Sequence, residues 1–281
     1  MWRIRPLALI VALSSFVLSG AVPASAAGAN NFTCSGNFAF IPAGSYGSLT
    51  VEGFCLVAPT GVLTVAHNVV VAPGAVLLAN YPSFGVGRPA GLATINVGGN
   101  VIVESGAVLV MGCEPFFGGA CTDVISGNLV GDGALGIITH ATSIDGSVLE
   151  SAGGNGGTCA PPTSGFFGLI HHPGFSVYDG DNIRGNVVVD GYESCWLGVN
   201  HALVGGNVIV VNNNLADPDA VEILDNTIMG NLVCQQNSMV WDSADISETG
   251  GLFPRLPEPN TVNGHRVGQC VIASPPGSGP F

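Results

Sequence analysis

The sequence predicts an all-β protein wound as a parallel β-helix, a right-handed solenoid with three short strands in each of about seven or eight coils. Three observations carry the prediction. A corner signal recurs ahead of aliphatic strands. The strands are short and rich in β-branched residues. Gly and Asn punctuate them so densely that no helical period is visible. The corner signal is plainest in an internal echo: "HNVVVAPGAVLLAN" (67–80) returns 32 residues later as "GNVIVESGAVLVMG" (99–112), with seven of fourteen positions identical.

Fixed-period repeats are the mark of a solenoid. With the Asn of "GN" as the marker, the pattern recurs at Ser48, Asn68, Asn100, Asn128, Ser147, Asn186, Asn207 and Asn231. The gaps are 20, 32, 28, 19, 39, 21 and 24 residues, so the unit is about 20 and the long gaps are that unit plus a loop. Each unit reads as three strands. In the first echo they are residues 69–71, 75–78 and 94–97; in the Asn207 unit they are 208–211, 220–224 and 227–229. Stacking these units pairs each strand with its equivalents about 4.8 Å above and below. Gly at the corner is expected to supply positive φ. Asn tolerates the left-handed region and builds an amide ladder from coil to coil. Right-handedness follows from the usual crossover between parallel strands. An antiparallel sandwich also has many short strands, but it leaves the repeated corner unexplained.

Burying each inward Val, Leu or Ile contributes roughly 1.5–3 kcal/mol, enough with several per coil to offset the ordering of many loops. Open solenoid ends need protection from edge pairing. Residues 27–46 and 235–270 are expected to cap the two ends of a single domain spanning 27–270, and 271–281 ("VIASPPGSGPF") reads as a flexible tail.

The first 26 residues read as a cleaved secretion signal: Arg3 and Arg5, an apolar run from Leu7 to Leu18, and the small-residue site Ala24-Ser25-Ala26. The run is short for a membrane span. Localisation is therefore expected to be extracellular, with no membrane insertion after cleavage. No Lys occurs, and two of the six Arg lie in the signal, so the remainder carries 4 Arg against 19 acids, or 4 − 19 = −15. That balance argues against nucleic acid, which needs cations to neutralise phosphate, and against anionic membrane surfaces. Eight Cys in a secreted chain imply disulfides. Sequence neighbours are the simplest of the possible pairings: Cys34 with Cys55, Cys113 with Cys121, Cys159 with Cys195, and Cys234 with Cys270.

The insertions hold most of the unusual side chains. The longest, between Glu150 and Asn186, contains Phe166-Phe167, His171-His172 and "YDGDN" from Tyr178. His172 with Asp179 and Asp181 offers metal-ligand atoms, calcium being the candidate ion. Adjacent His residues on a strand face opposite ways, however, and the distal Glu of a calcium loop is missing. The plainer reading is a turn with Asp and Asn capping their own backbone, and no cofactor is expected. Asp217, Asp219 and Glu222 read as a solvated corner. His67 and His265 read as Asn substitutes at the corner, and His201 as structural. Asn31-Phe32-Thr33 is a glycosylation sequon. No nucleophile elbow occurs.

The strands after the corners are apolar on consecutive residues. Alternation then turns one aliphatic of each triplet outward: Val70, Ile102, Val188 and Ile209, if the outer two point in. Stacking aligns these into an apolar ladder, which implies either a covering insertion or a partner.

The spaced coils resemble the pectin-lyase-like superfamily of β-helices over most of residues 45–235. That resemblance implies acidic-polysaccharide lyase or hydrolase chemistry. Its lyases pair a basic residue with calcium-binding carboxylates, a pattern approached here by Arg184 beside Asp179 and Asp181. Its hydrolases use a paired "DD" and a "GHG", neither of which occurs. The Gly-punctuated strands also resemble the bactofilin-like polymer-forming proteins, which lack disulfides. The ending Asn260-Thr261-Val262-Asn263-Gly264 with Gly268-Gln269-Cys270 resembles secreted actinobacterial proteins of uncharacterised function. The reading that results is a secreted, non-enzymatic structural or binding protein at the cell surface, its partner a surface glycan or a second copy met through the apolar strand face. The alternative is a polysaccharide-active enzyme using Asp179, Asp181, Arg184 and His172.

Overall fold

The computed structural model describes residues 30–81, 91–112, 123–218, 220–243 and 259–271. The expected signal, the Cys113–Cys121 pair, Asp219 and the tail after Val271 lie outside them. The chain winds into three long parallel sheets, and each circuit contributes one strand to each sheet. The first sheet stacks ten strands from Phe32–Cys34 to Arg266–Gly268; the second has nine, from Asn37–Ile41 to Val240–Ser243; the third has nine, from Gly44–Tyr46 to Thr261–Val262. This is the parallel β-helix with three strands per coil that the repeats predict. In the echo the strands are Val69–Val71, Val76–Leu78 and Thr94–Val97, and in the Asn207 coil Val208–Val211, Val221–Leu224 and Thr227–Ile228. Val69–Val71 lies residue for residue against Val101–Val103, so the echo is two stacked levels.

The terminal segments expected as caps also contribute strands. Phe32–Cys34 pairs with Leu49–Val51, and Arg266–Gly268 with Leu232–Gln235. Disulfides Cys34–Cys55 and Cys234–Cys270 tie the two ends to neighbouring strands, and Cys159–Cys195 forms as well. All three join sequence neighbours.

The core follows from alternation. The first and third residues of each first-sheet triplet point inward, and Leu49, Val101, Val148, Val187 and Leu232 are at most 1% exposed. Of the two phases the sequence leaves open, this is the one that turns Val70, Ile102, Val188 and Ile209 outward, and they are only partly covered.

The corner works differently from expectation. The Gly of "GN" does not have positive φ. It is needed for close approach: a Cβ on Gly206 would lie 2.4 Å from Asn186 Oδ1 and 2.7 Å from the Gly185 carbonyl oxygen. The positive φ values fall at the other two corners, at positions such as Gly74 and Gly106 on one and Ala141, Gly180, His201 and Asp225 on the other. The amide ladder does form. Oδ1 of each corner Asn accepts the backbone N–H of the next corner residue, from Asn68 to Asn100 at 2.9 Å through Asn207 to Asn231 at 2.8 Å. Ser147 Oγ serves the same role for Asn186. His265 completes the ladder on Asn231. His67 does not: its N–H bonds the Gly47 carbonyl as that of Gly99 bonds the His67 carbonyl, so it stands at the Gly position and Asn68 is the ladder member.

Among the described residues one short helix, α1 (Gly165–Ile170), departs from the all-strand expectation. Its two Gly make it a weak helix former. Tertiary packing holds it, because Phe166 and Phe167 bury against Leu78, Val110, Ile138 and Val177 on the outer side of the second sheet. Gly136 makes room: a Cβ there would lie 2.7 Å from the Phe167 ring. The long insertion therefore covers the second sheet, and Cys159–Cys195 staples it there. Among the described residues, no helix is long and apolar enough to cross a membrane.

Candidate functional site

Chemistry-bearing side chains gather at the corner between the second and third sheets. Asp179 ends the strand Phe175–Asp179 and sits directly over His140, the last residue of Gly136–His140. His201 occupies the left-handed corner one level on. Its Nδ1 lies 2.7 Å from Asp179 Oδ1, and His140 Nδ1 lies 3.4 Å from Asp179 Oδ2. His201 Nε2 reaches to 3.8 Å from Asp225 Oδ2. The result is a His–Asp–His–Asp column at the protein surface. Burial alone would raise the Asp179 pKa, but hydrogen bonds and charge from His140 and His201 outweigh it and hold the carboxyl well below the usual range. Whichever form the imidazoles take, Asp179 bridges the two rings across successive levels, a structural use of His as well as a chemical one.

Asp181 is buried, unlike Asp179. It accepts the Thr142 N–H at 2.7 Å and the Thr139 hydroxyl. It belongs to an inner series one residue ahead of the third-sheet strands. Asp123 accepts from Ile95 and Gly112, Asn226 from Ala202, and Asn260 from Asn226. These side chains satisfy backbone N–H groups where the chain turns between sheets. Burial raises Asp123 to about 6 and Asp181 to about 7, against hydrogen bonds that pull the other way.

A third polar group lies inside the coil. Glu150 takes the inward slot that Val103 and Val189 fill on other levels, and is 1% exposed. Ser176 Oγ and the Tyr178 hydroxyl each donate to it at 2.8 Å. Gly131, beneath it, leaves the space: a Cβ there would lie 3.2 Å from Glu150 Cγ. Burial pushes Glu150 up to about 7 despite these two donors.

The four candidate residues named from sequence do not share partners. Asp179 pairs with the histidines, and Asp181 is committed to the inner series. Arg184 is exposed and pairs with Asp145 at 3.2 Å. His172 Nδ1 meets the Pro173 carbonyl oxygen at 3.0 Å, and its ring packs edge-on to Phe175 beside the long insertion. Asp217 lies by the Cys159–Cys195 bridge, whose sulfurs are bonded to each other and offer no thiolate. Sequence reasoning left His140, His201 and Asp225 out of the column. A signal for them exists: "ITHATSI" (138–144), "VYDGDNI" (177–183), "GVNHALV" (198–204) and "EILDNTI" (222–228) align, with His140 and Asp179 one residue before the corner and His201 and Asp225 at it. Glu150 is legible too, as the acid in "SVLE" at an inward position.

The largest regular feature is the outer face of the first sheet. Register stacks Thr50, Val70, Ile102, Val130, Leu149, Val188, Ile209, Val233 and Val267 into one column. Its eight aliphatic members belong to neither packed apolar cluster, and Leu149 is 39% exposed. On one side runs the Asn ladder. On the other lie Glu104, Asp132, Ser151, Asp190, Val211 and Gln235. The second sheet's apolar face is covered by the chain's own insertion; this one is not covered by any described cluster.

In comparisons with known proteins, no family model, no curated protein and no solved structure matches the chain.

Proposed function

We propose that the protein is a secreted, non-enzymatic β-helix scaffold that works through the outer face of its first sheet. One observation carries this reading: eight aliphatic side chains in continuous register that no described apolar cluster covers, while the second sheet is covered by α1 and its neighbours. Contiguous apolar surface of this extent marks an interaction site. Rungs held by backbone pairing and by the Asn ladder fix its geometry before any partner arrives, so little ordering entropy is lost on contact. Three disulfides fit an oxidising, extracellular setting.

The alternative is a polysaccharide-active enzyme, and the observation that favours it is the surface column of His140, Asp179 and His201. Against it, Asp181 and Glu150 are spent on internal hydrogen bonds and Arg184 is drawn to Asp145. Two measurements test the proposal on the purified protein. At concentrations dilute enough to keep it monomeric, wild type should bind a hydrophobic dye that an Ile102→Asp/Ile209→Asp variant does not, and neither should release reducing or unsaturated sugar ends from acidic or neutral glycans. Sugar-end release that disappears in Asp179→Asn would replace the scaffold with the enzyme. Equal dye binding by the two proteins would remove the face from consideration.

A further inference from the structure

Resting on the scaffold reading, we infer that the occupant of the first-sheet face is a second copy of this chain, packed face to face about a two-fold axis running parallel to the stack of coils. Three features of the face select this partner and this axis.

The first is periodicity. The column repeats about every 4.8 Å for roughly 35 Å. A partner that fills it must present apolar groups at the same spacing over the same length. A second copy does so by construction: with both stacks running the same way, every level meets its own equivalent.

The second is the pair of flanking columns. A two-fold parallel to the stack exchanges left and right. It sets the Asn ladder of one copy against Glu104, Asp132, Ser151, Asp190, Val211 and Gln235 of the other. Each amide nitrogen carries two hydrogens, and Asn207 and Asn231 each spend one within the ladder. Level for level, Asn100, Asn128 and Asn186 then face the carboxylates of Glu104, Asp132 and Asp190, while Asn207 meets Val211 and Asn231 meets the Gln235 amide. A two-fold perpendicular to the stack would set acids against acids in a chain of formal charge −13, which electrostatics disfavours.

The third is size. Three outward columns, each about 7 Å from the next, give roughly 1,000 Å² over both copies. That is the lower bound for a specific interface, so the dimer should dissociate in the micromolar range.

Sedimentation equilibrium of the wild-type protein across that range should show a monomer–dimer transition, and a Val188→Glu/Ile209→Glu variant should weaken it at least tenfold. Single-cysteine variants fix the axis. In the parallel arrangement both Leu149→Cys and Ile209→Cys crosslink to their own copy; in the perpendicular one only Leu149→Cys, near the middle of the column, does so. A dimer that crosslinks at both positions supports the inference. A dimer indifferent to the glutamates, or crosslinked at Leu149→Cys alone, overturns it. A wild-type monomer that still binds dye through this face, or is retained on a polysaccharide matrix, overturns the second copy and leaves the scaffold standing. A monomer that binds no dye removes both.

Discussion

Oδ1 of Asn68 accepts the backbone N–H of Asn100 at 2.9 Å, across 32 residues of sequence and one level of the coil. The contact repeats up the molecule, so each corner residue is both acceptor for the level above and donor to the level below. A ladder of this kind should behave cooperatively, with an interior member worth more than a terminal one.

Asn207→Ala removes the acceptor for both the N–H and the Nδ2 of Asn231. The expected cost is about 1–2 kcal/mol, read as a lowered denaturant midpoint at unchanged slope. Asn207→Ser should recover much of it, since Ser147 already fills the same slot with its hydroxyl oxygen. Equal loss in both variants would show that the acceptor is not what matters.

Two Gly→Ala variants should differ in kind. At Gly206 the added Cβ meets Asn186 Oδ1 and the Gly185 carbonyl, and the ladder must separate locally. At Gly74 the Cβ meets nothing within 4 Å, but φ is +71°, a conformational cost of about 1–2 kcal/mol. Thermal melts should place Gly206→Ala well below Gly74→Ala. The reverse order would contradict close approach as the reason for Gly in "GN".

Stability should rise on mild acidification. Glu150 and Asp181 sit at about 7 and Asp123 at about 6 in the fold, all above their unfolded values near 4. Each group's contribution is fully present below its unfolded pKa and lost as pH climbs through its folded pKa. Asp179 has the opposite sign, its contribution vanishing as pH falls below the ordinary aspartate range. The melting temperature should therefore be higher at pH 5 than at pH 8. Glu150→Gln should flatten the profile by an amount on the order of 3 kcal/mol; an unchanged slope would mean that Glu150 does not titrate in this window.

Arg266 reaches back from the last first-sheet strand to the buried Asp242 carboxylate and to the Asn260 carbonyl oxygen at 3.0 Å. Arg266→Leu strands that carboxylate, at a cost of about 3 kcal/mol. Hydrogen exchange should show the loss concentrated in Val240–Ser243 and Thr261–Val262, the strands beside it. Adding Asp242→Asn should restore protection, because Asn needs no countercharge.

The period of the fold was legible because it is written locally. Val69–Val71 and Val101–Val103 each place an aliphatic triplet after the same Asn, and alternation leaves two phases, of which the structure takes the one with the outer two inward. The polar groups were harder to read. His140 and Asp179 are 39 residues apart, and the long insertion hides that they occupy one position on adjacent levels. Asp181 looked like a ligand beside Asp179, yet the turn buries it and leaves its neighbour at the surface. The role of Gly in "GN" was misassigned because sequence marks that a side chain is forbidden there, not whether dihedral angle or an approaching Asn forbids it.

By itself the sequence determined the repeating coil and its three strands, and offered the neighbour pairing of the disulfides seen as the simplest of many. Each depends on interactions within one circuit or between successive ones, so composition and spacing encode them. Only the tertiary structure decided which apolar face the chain covers. Phe166 and Phe167 belong to an insertion whose landing place depends on the hollow left by Gly136, one level below. It also decided what receives Glu150 inside the coil, bringing Tyr178 and Ser176 to it from another sheet. Such contacts join parts of the chain whose separation is set by loop lengths, and no local pattern records where a loop comes to rest.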